Sequence, residues 1–395
     1  MNLLQSALST ANLSNKRVFV RADLNVPINN DGSISNDHRL TALLPTLEII
    51  KKKGGTIILA THLGRPKKPT PDLSTKLLVP WLEKHGYSVD FQSNLSDAAP
   101  VSLHPTSDII LLENLRFFAG EQTGDLDFAQ QLALLTDYYV NDAFALLHRS
   151  DTSITLLPTL LKPDNRTIGL LIEQELMMLN KLLDSPEKPF VLMIGGCKVI
   201  DKIPLIEHML DKVQTILLGP AIVFTFLHAL GKPIGKSLVD ENAVELCRAI
   251  MRHAKEKKVT LLFPLDYQVA KDTYYGALSY IETDTLPEWA VGVSIGPKTV
   301  QLFSNEIKKS HTFFYNGLMG DLHRPQTLHS IEKLFTVIQD SPGLRIIGGG
   351  DSVGAAQLLH ESNCFSYLST GGGATLAYLA KQSLPGLALF MRATR

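Results

Sequence analysis

The chain has 395 residues, of which 45% are hydrophobic and 19% charged, and its formal net charge is −1. That length exceeds one ordinary domain and predicts two, and the composition suits a soluble protein with sizeable cores. A balanced charge excludes global steering towards nucleic acid or a membrane surface, so anion binding has to come from local clusters.

The first half alternates short apolar strands with helical periods. Strands are predicted at Arg17–Val20, Thr56–Ala60, Ile109–Leu112 and Tyr138–Val140. A helix is predicted over Arg39–Lys53, with Leu40, Leu43, Leu44, Leu47 and Ile50 on one face, and another over Asp125–Leu135. Turn chemistry at Lys162–Asn165, a helical stretch from Leu170 to Leu183 and the breaker Ser185-Pro186-Glu187-Lys188-Pro189 mark a connector. The rhythm then resumes, with strands expected at Phe190–Ile194, Thr215–Leu218, Thr260–Phe263, Thr312–Tyr315, Leu344–Ile347 and Phe365–Leu368. Helices are expected at Val223–Leu230, Thr327–Ile338 and Ser352–Leu359. Near-continuous apolar strands alternating with helices imply an α/β fold with parallel sheets covered on both faces.

Three scattered cysteines, Cys197, Cys247 and Cys364, form neither a zinc pair nor a disulfide framework. Together with the absence of a signal-peptide pattern in Met1–Lys16, this predicts a cytoplasmic protein. No apolar run approaches the roughly 18 residues of a membrane span, so no membrane partner is expected.

Chemistry-bearing residues cluster at strand ends. The first half places Arg21, Asp23 and Asn25 after one strand, His62 and Arg65 after the next, Arg116 after the third, and Arg149 beyond the fourth; Arg39 opens the first helix. Any one is a surface charge as readily as a ligand, but recurrence at four strand ends on one sheet edge is what a basic pocket needs. The second half carries Gly195-Gly196-Cys197-Lys198, Gly348-Gly349-Gly350-Asp351 and Thr370-Gly371-Gly372-Gly373 after apolar runs. Each alone reads equally as a tight turn, with Asp351 an ordinary N-cap, or as a phosphate loop. Two triple-glycine turns favour the ligand reading. Lys198 and Lys202, expected in a first helical turn where the dipole repels cations, point the same way. No G-x-G-x-x-G occurs, which disfavours a dinucleotide oxidoreductase, and Gly231–Ser237 falls one residue short of a Walker A loop and reads as a turn.

Taken together these motifs resemble phosphoglycerate kinase from Lys16 to Gly386. The likeness is carried by Arg17–Pro27, His62–Pro66, Glu113–Phe117, Val140–Phe144 with His148-Arg149, Gly195–Ile203, Gly348–Asp351 and Ser369–Gly373. It implies two Rossmann-like domains facing across a cleft and joined by a hinge helix. Residues 1–168 would form the acid-substrate domain, with 385–395 packing back on it, 169–184 the connecting helix, and 185–384 the nucleotide domain. It implies reversible phosphoryl transfer from 1,3-bisphosphoglycerate to Mg-ADP, giving 3-phosphoglycerate and Mg-ATP, by a monomer without a nucleic-acid partner. Asp23, Asn25 and Arg39 would hold the carboxyl and hydroxyl end of 3-phosphoglycerate, and His62, Arg65, Arg116 and Arg149 its phosphate. Arg39 and Lys198 would serve the transferring group and Lys202 the nucleotide phosphates, while Asp351 would bind Mg2+. Gly219, Asn316, His323, Gly349, Gly350, Ser352, Gly371, Gly372 and Gly373 would complete the nucleotide site.

The chain departs from that pattern at Pro220, in a usually glycine-rich run, and at His323, where a ribose-binding glutamate is expected. Ser294 replaces an aspartate, and Asp151 replaces the second histidine of a His-Arg-Ala-His run. These departures motivate a second expectation, a phosphate-ligand binding protein with little turnover.

Overall fold

The computed structural model describes residues 8–29 and 31–391. The chain divides into two compact units: one runs to Met177 and resumes at Ser383, the other spans Met178–Gln382. The division falls inside the helix Leu170–Leu183.

In the first unit, β1 (Arg17–Ala22), β2 (Thr56–Ala60), β3 (Val89–Gln92), β4 (Ile109–Leu112), β5 (Tyr138–Asp142) and β6 (Arg166–Ile168) form one sheet. Their order is β3-β4-β2-β1-β5-β6, and every pairing is parallel. β4 reads Ile-Ile-Leu-Leu and is buried throughout, as a strand covered on both faces must be. The helix His38–Lys52 buries Leu40, Leu43, Leu47 and Ile50 and ends in Lys51 and Lys52, cations that suit the negative end of its dipole. Asp125 caps the helix Leu126–Ala133 by accepting the Phe128 amide at 2.8 Å. The sequence reading anticipated four of the six strands. β3 is half-buried along its length and β6 spans three residues, so neither has the long apolar run that marks a central strand.

In the second unit, β7 (Phe190–Ile194), β8 (Thr215–Leu218), β9 (Thr260–Leu262), β13 (Thr312–Asn316), β14 (Leu344–Gly348) and β15 (Tyr367–Leu368) form a parallel sheet in the order β15-β14-β13-β7-β8-β9. β10 (Tyr267–Lys271), β11 (Leu278–Ile281) and β12 (Ala290–Ile295) make a small antiparallel sheet that the sequence reading missed. Two helix starts differ from expectation. Gly349, at φ +96°, takes the N-cap of the helix Gly350–Leu358, so Asp351 lies inside the first turn instead of capping it. Lys202 occupies the N-cap of the helix Ile203–Met209, and Lys198 precedes it; Pro204, well placed near a helix start, fixes that boundary.

The described C-terminal segment belongs to the first unit. The Gly386 amide donates to the Leu147 carbonyl at 2.9 Å, and Asn141 Nδ2 donates to the Gly386 carbonyl at 3.2 Å. Phe390 is buried and stacks on Tyr139 with ring centroids 6.3 Å apart. Residues 392–395 of the expected 385–395 segment lie outside the described residues. Phe390→Ala is expected to destabilise the first unit by about 3–5 kcal/mol, the cost of a buried aromatic cavity. Denaturant unfolding followed by tyrosine fluorescence checks this, and an unchanged midpoint would show that the segment contributes nothing.

Candidate active site

Parallel pairing brings the carboxyl ends of β4, β2, β1 and β5 side by side. Asp23 follows β1 and is nearly buried. One of its oxygens accepts from the Arg39 guanidinium, and the other receives the Asn25 amide at 3.3 Å. Asn25 Oδ1 in turn accepts the Gly64 amide at 2.7 Å, which ties the loop after β2 to the loop after β1. Asn114 holds the third loop by donating to the carbonyls of Leu63 and Leu73, each at 2.8 Å. Arg116 Nη1 donates to the Gly64 carbonyl.

Arg65, Pro66, Arg116, Gln122 and Arg149 line a pocket of about 270 Å³. Arg65 is exposed, Arg149 is half-buried, and Arg116 is buried with its Nε unpartnered. His62 lies deeper, 2% exposed, and its Nδ1 is also buried without a hydrogen bond. Burial first, then Arg21, Arg116, Arg149 and Arg39, hold the His62 pKa well below its ordinary value. The ring is therefore neutral near pH 7, and the 3.9 Å approach of His62 to Asp23 is proximity and not an ion pair. Burial and the neighbouring Arg149 likewise lower the pKa of Arg116. Asp151 is 6% exposed with a buried, unpaired Oδ2, and its charge acts on Arg116.

Arg21 is no part of this pocket. It is fully buried, donating through Nε to Ser153 Oγ at 2.7 Å and pairing with the equally buried Glu121 at 3.3 Å. Arg21 lies inside β1, which runs to Ala22, and its side chain points off the sheet into packed protein, while Asp23 follows the strand end. Gln122 is the lining residue the sequence motifs did not mark.

In the second unit the loops after β7 and β13 meet backbone to backbone. A Cβ on Gly195 would sit 2.7 Å from the Gly317 carbonyl oxygen, and one on Gly317, at φ +91°, would sit 2.0 Å from that of Gly195. Two cavities open beside this crossing. The smaller, about 210 Å³, is lined by Lys198, Asp201, Lys202, Asn316, Gly349, Gly350, Asp351, Ser352, Gly372 and Gly373 among others. The larger, about 670 Å³, shares Lys198, Lys202 and Asp351 and extends past Pro220, Phe224, Tyr274, Asp321 and His323. Its size is that of a nucleotide-sized ligand site. Burial lowers the Lys202 pKa, partly offset by Cys197, Asp201 and Asp351. Asn316 Nδ2 is buried and unpaired. The Ser352 hydroxyl is occupied by the Gly317 amide at 2.8 Å.

Gly219 and Gly371 are not among the residues lining either cavity. A Cβ on Gly219 would strike Met319, and Gly371 bonds within its own loop to Ser369 and Thr375. Pro220 lines the larger cavity, and Ala221 after it adopts φ +65°. Ser294 is buried and donates to the Met319 carbonyl at 3.3 Å. The Gly231–Ser237 segment is a turn, with Lys232 paired to Asp284 and Lys236 to Asp272. Tyr274, Tyr275 and Asp321 are lining residues that sequence reasoning missed. The Asp272–Gly276 turn between two strand-like segments was the available signal for the two tyrosines; Asp321 lies in the loop after β13.

Among the described residues, no helix is long and apolar enough to cross a membrane. A family model for phosphoglycerate kinase matches residues 8–382. The phosphoglycerate kinase of Dictyoglomus turgidum is 40% identical over 388 residues, covering 97% of each chain. That of Bdellovibrio bacteriovorus is 38% identical over 381 residues, covering 95% of this chain and 94% of its own. Among solved structures, phosphoglycerate kinase from Coxiella burnetii superposes with a TM-score of 0.81 at 31% identity, covering 97% of both chains. The enzyme from Pyrococcus horikoshii gives a TM-score of 0.80 at 27% identity, covering 99% of this chain and 98% of its own. A basic pocket on one parallel sheet and a glycine-and-lysine cavity on another thus accompany a likeness that spans the chain, which belongs to the phosphoglycerate kinase family of glycolytic enzymes, transferring a phosphoryl group reversibly between 1,3-bisphosphoglycerate and ADP.

Proposed function

We propose that the first unit, with residues 1–168 as its main part, holds the acid substrate and that the second holds the nucleotide. The observation that carries this reading is the pair of buried, unpartnered nitrogens on His62 and Arg116, set beside Arg65 and Arg149. Buried polar atoms without partners are costly, and a phosphate supplies acceptors for all of them. His62, Arg65, Arg116 and Arg149 would hold the C3 phosphate of 3-phosphoglycerate. Asp23, Asn25 and Arg39 would hold its hydroxyl and carboxyl end; Asn25 keeps its amide NH2 for this, since its oxygen already serves Gly64. The neutral His62 donates one hydrogen bond without adding a fourth charge to the cluster.

In the second unit Lys202 would meet the nucleotide phosphates, with Gly349, Gly350, Gly372 and Gly373 allowing close backbone approach. Gly219 and Gly371 would shape these loops from behind. Asn316 would donate its unpaired Nδ2, Ser352 would hold the Gly317 loop, and His323 would border the sugar end. Asp351 is an exposed carboxylate on the lining shared by both cavities. That fits Mg2+ arriving with the nucleotide, because this ion takes one or two carboxylates together with phosphate oxygens and water. Bound there, it would neutralise charge on the phosphates. Arg39 and Lys198 are the cations assigned to the transferring group. Phosphoryl transfer needs in-line positioning and charge balance more than covalent help, so fixed cations are the catalytic equipment.

Lys198→Ala and Arg39→Ala are each expected to lower kcat by about a hundredfold or more in a coupled assay, as for other preorganised charge donors. Turnover unaffected in either variant would remove that residue from its assigned role. Chelation of divalent ions is expected to abolish turnover and added Mg2+ to restore it; activity persisting in chelator would contradict the metal assignment.

Asp151 yields a second prediction. Its carboxylate opposes the phosphate that Arg116 and Arg149 would bind. Asp151→Asn is expected to tighten 3-phosphoglycerate binding roughly threefold to tenfold, the scale of one screened charge contact. Calorimetric titration measures it, and weaker binding would show instead that Asp151 holds the arginines in place.

A further inference from the structure

One wall of the larger cavity is built from two segments in which the motifs give a role to His323 alone. These are the Asp272–Gly276 turn between β10 and β11 and the Asp321–Arg324 loop beyond β13. Arg324 clamps them together, donating through Nη1 to the Tyr274 carbonyl and through Nη2 to the Gly276 carbonyl. The Tyr274 side chain returns a hydrogen bond to Asp321. The Asp321 carboxylate also accepts the His323 amide at 2.9 Å, and the Asp321 amide donates to Thr327 Oγ1 at 2.8 Å. This carboxylate is therefore held in one orientation, and two hydrogen bonds leave lone pairs on it free.

Among the described residues lining the larger cavity, two are carboxylates. Asp351 is shared with the smaller pocket and with Lys198 and Lys202; Asp321 lines only the larger one. A nucleoside diphosphate with its phosphates against the lysines must place sugar and base in the remaining volume. Its vicinal hydroxyls are donors, and a fixed carboxylate is the side chain that can accept from both. His323 offers at most one acceptor nitrogen, and it is exposed. Burial and the Asp321 charge push the Tyr274 phenol up to about 12, so it stays a donor to Asp321 at neutral pH.

We infer that Asp321 is the acceptor for the 2′- and 3′-hydroxyls of the bound nucleotide, a specificity residue two positions before the histidine that stands at the expected sugar contact. The inference rests on the nucleotide reading of the second unit. Arg324 and Tyr274 are positioning residues that act through Asp321.

The test titrates ADP and 2′,3′-dideoxy-ADP into the wild-type chain and into Asp321→Asn by calorimetry. The wild type is expected to prefer ADP by about tenfold, the scale of hydrogen bonds to a charged group. Asp321→Asn is expected to bind the two alike, by losing affinity for ADP while keeping that for the dideoxy nucleotide. Equal weakening of both ligands, or an undiminished preference for ADP, overturns the assignment while leaving the nucleotide reading intact. A wild type that binds neither overturns the nucleotide reading and the assignment with it. If Asp321→Asn fails to fold, Tyr274→Phe takes its place. That variant keeps the carboxylate and its bond from the His323 amide but removes the Tyr274 hydrogen bond, and is expected to lose part of the preference for ADP; full retention of the preference overturns the assignment.

Discussion

Val18 to Arg21 pair with Ile57 to Ala60 on one side and with Tyr138 to Asn141 on the other, all running the same way. That shared direction is the constraint on which the basic pocket of the first unit depends. Parallel strands deliver their carboxyl ends to one edge, so residues far apart in the chain converge without any long loop reaching across. Thr61 and Asn25 then lock neighbouring loops, through Leu24 at 2.9 Å and Gly64 at 2.7 Å. A side chain such as Asn114, itself fully buried, does structural work so that Arg116 can be left with an unsatisfied nitrogen.

Concentrating guanidinium groups in one place is unfavourable until a ligand arrives, and the fold moderates this in two ways. The Arg21 charge is balanced internally by Glu121, in a buried pair that also engages Ser153. His62 relinquishes its proton, so the deepest member of the cluster contributes hydrogen-bonding capacity without charge. Asp23, paired with Arg39, and Asp151 are the other carboxylates whose charge acts on Arg116.

The central strands of both sheets were legible because each is a short apolar run ending in polar residues, as in Thr56–Ala60 before His62. The glycine turns were legible for the same reason. Arg21 was misread because a basic residue at a strand end looks the same whether its side chain faces solvent, a ligand or a buried glutamate. The helix start was misplaced by two positions because Gly349, at φ +96°, takes the N-cap that Asp351 was expected to fill. The β10–β12 sheet escaped notice because β11 is largely exposed and carries little apolar signal. The same omission hid Tyr274, and the importance of Asp321 appears only once the Arg324 clamp joins two loops about 50 residues apart in the chain.

The contact between Gly195 and Gly317 has a consequence for how such a chain can diverge. Neither position can accept a side chain unless two adjacent strands separate, so these glycines are tied to the sheet itself. Pro220, Tyr274, Asp321 and His323 sit on loops around the cavity and carry no such obligation. Substitution can therefore accumulate at these lining positions while the Gly195–Gly317 crossing stays fixed. Over evolutionary time a chain built this way can change the outer lining of its larger cavity without disturbing the crossing of the two loops.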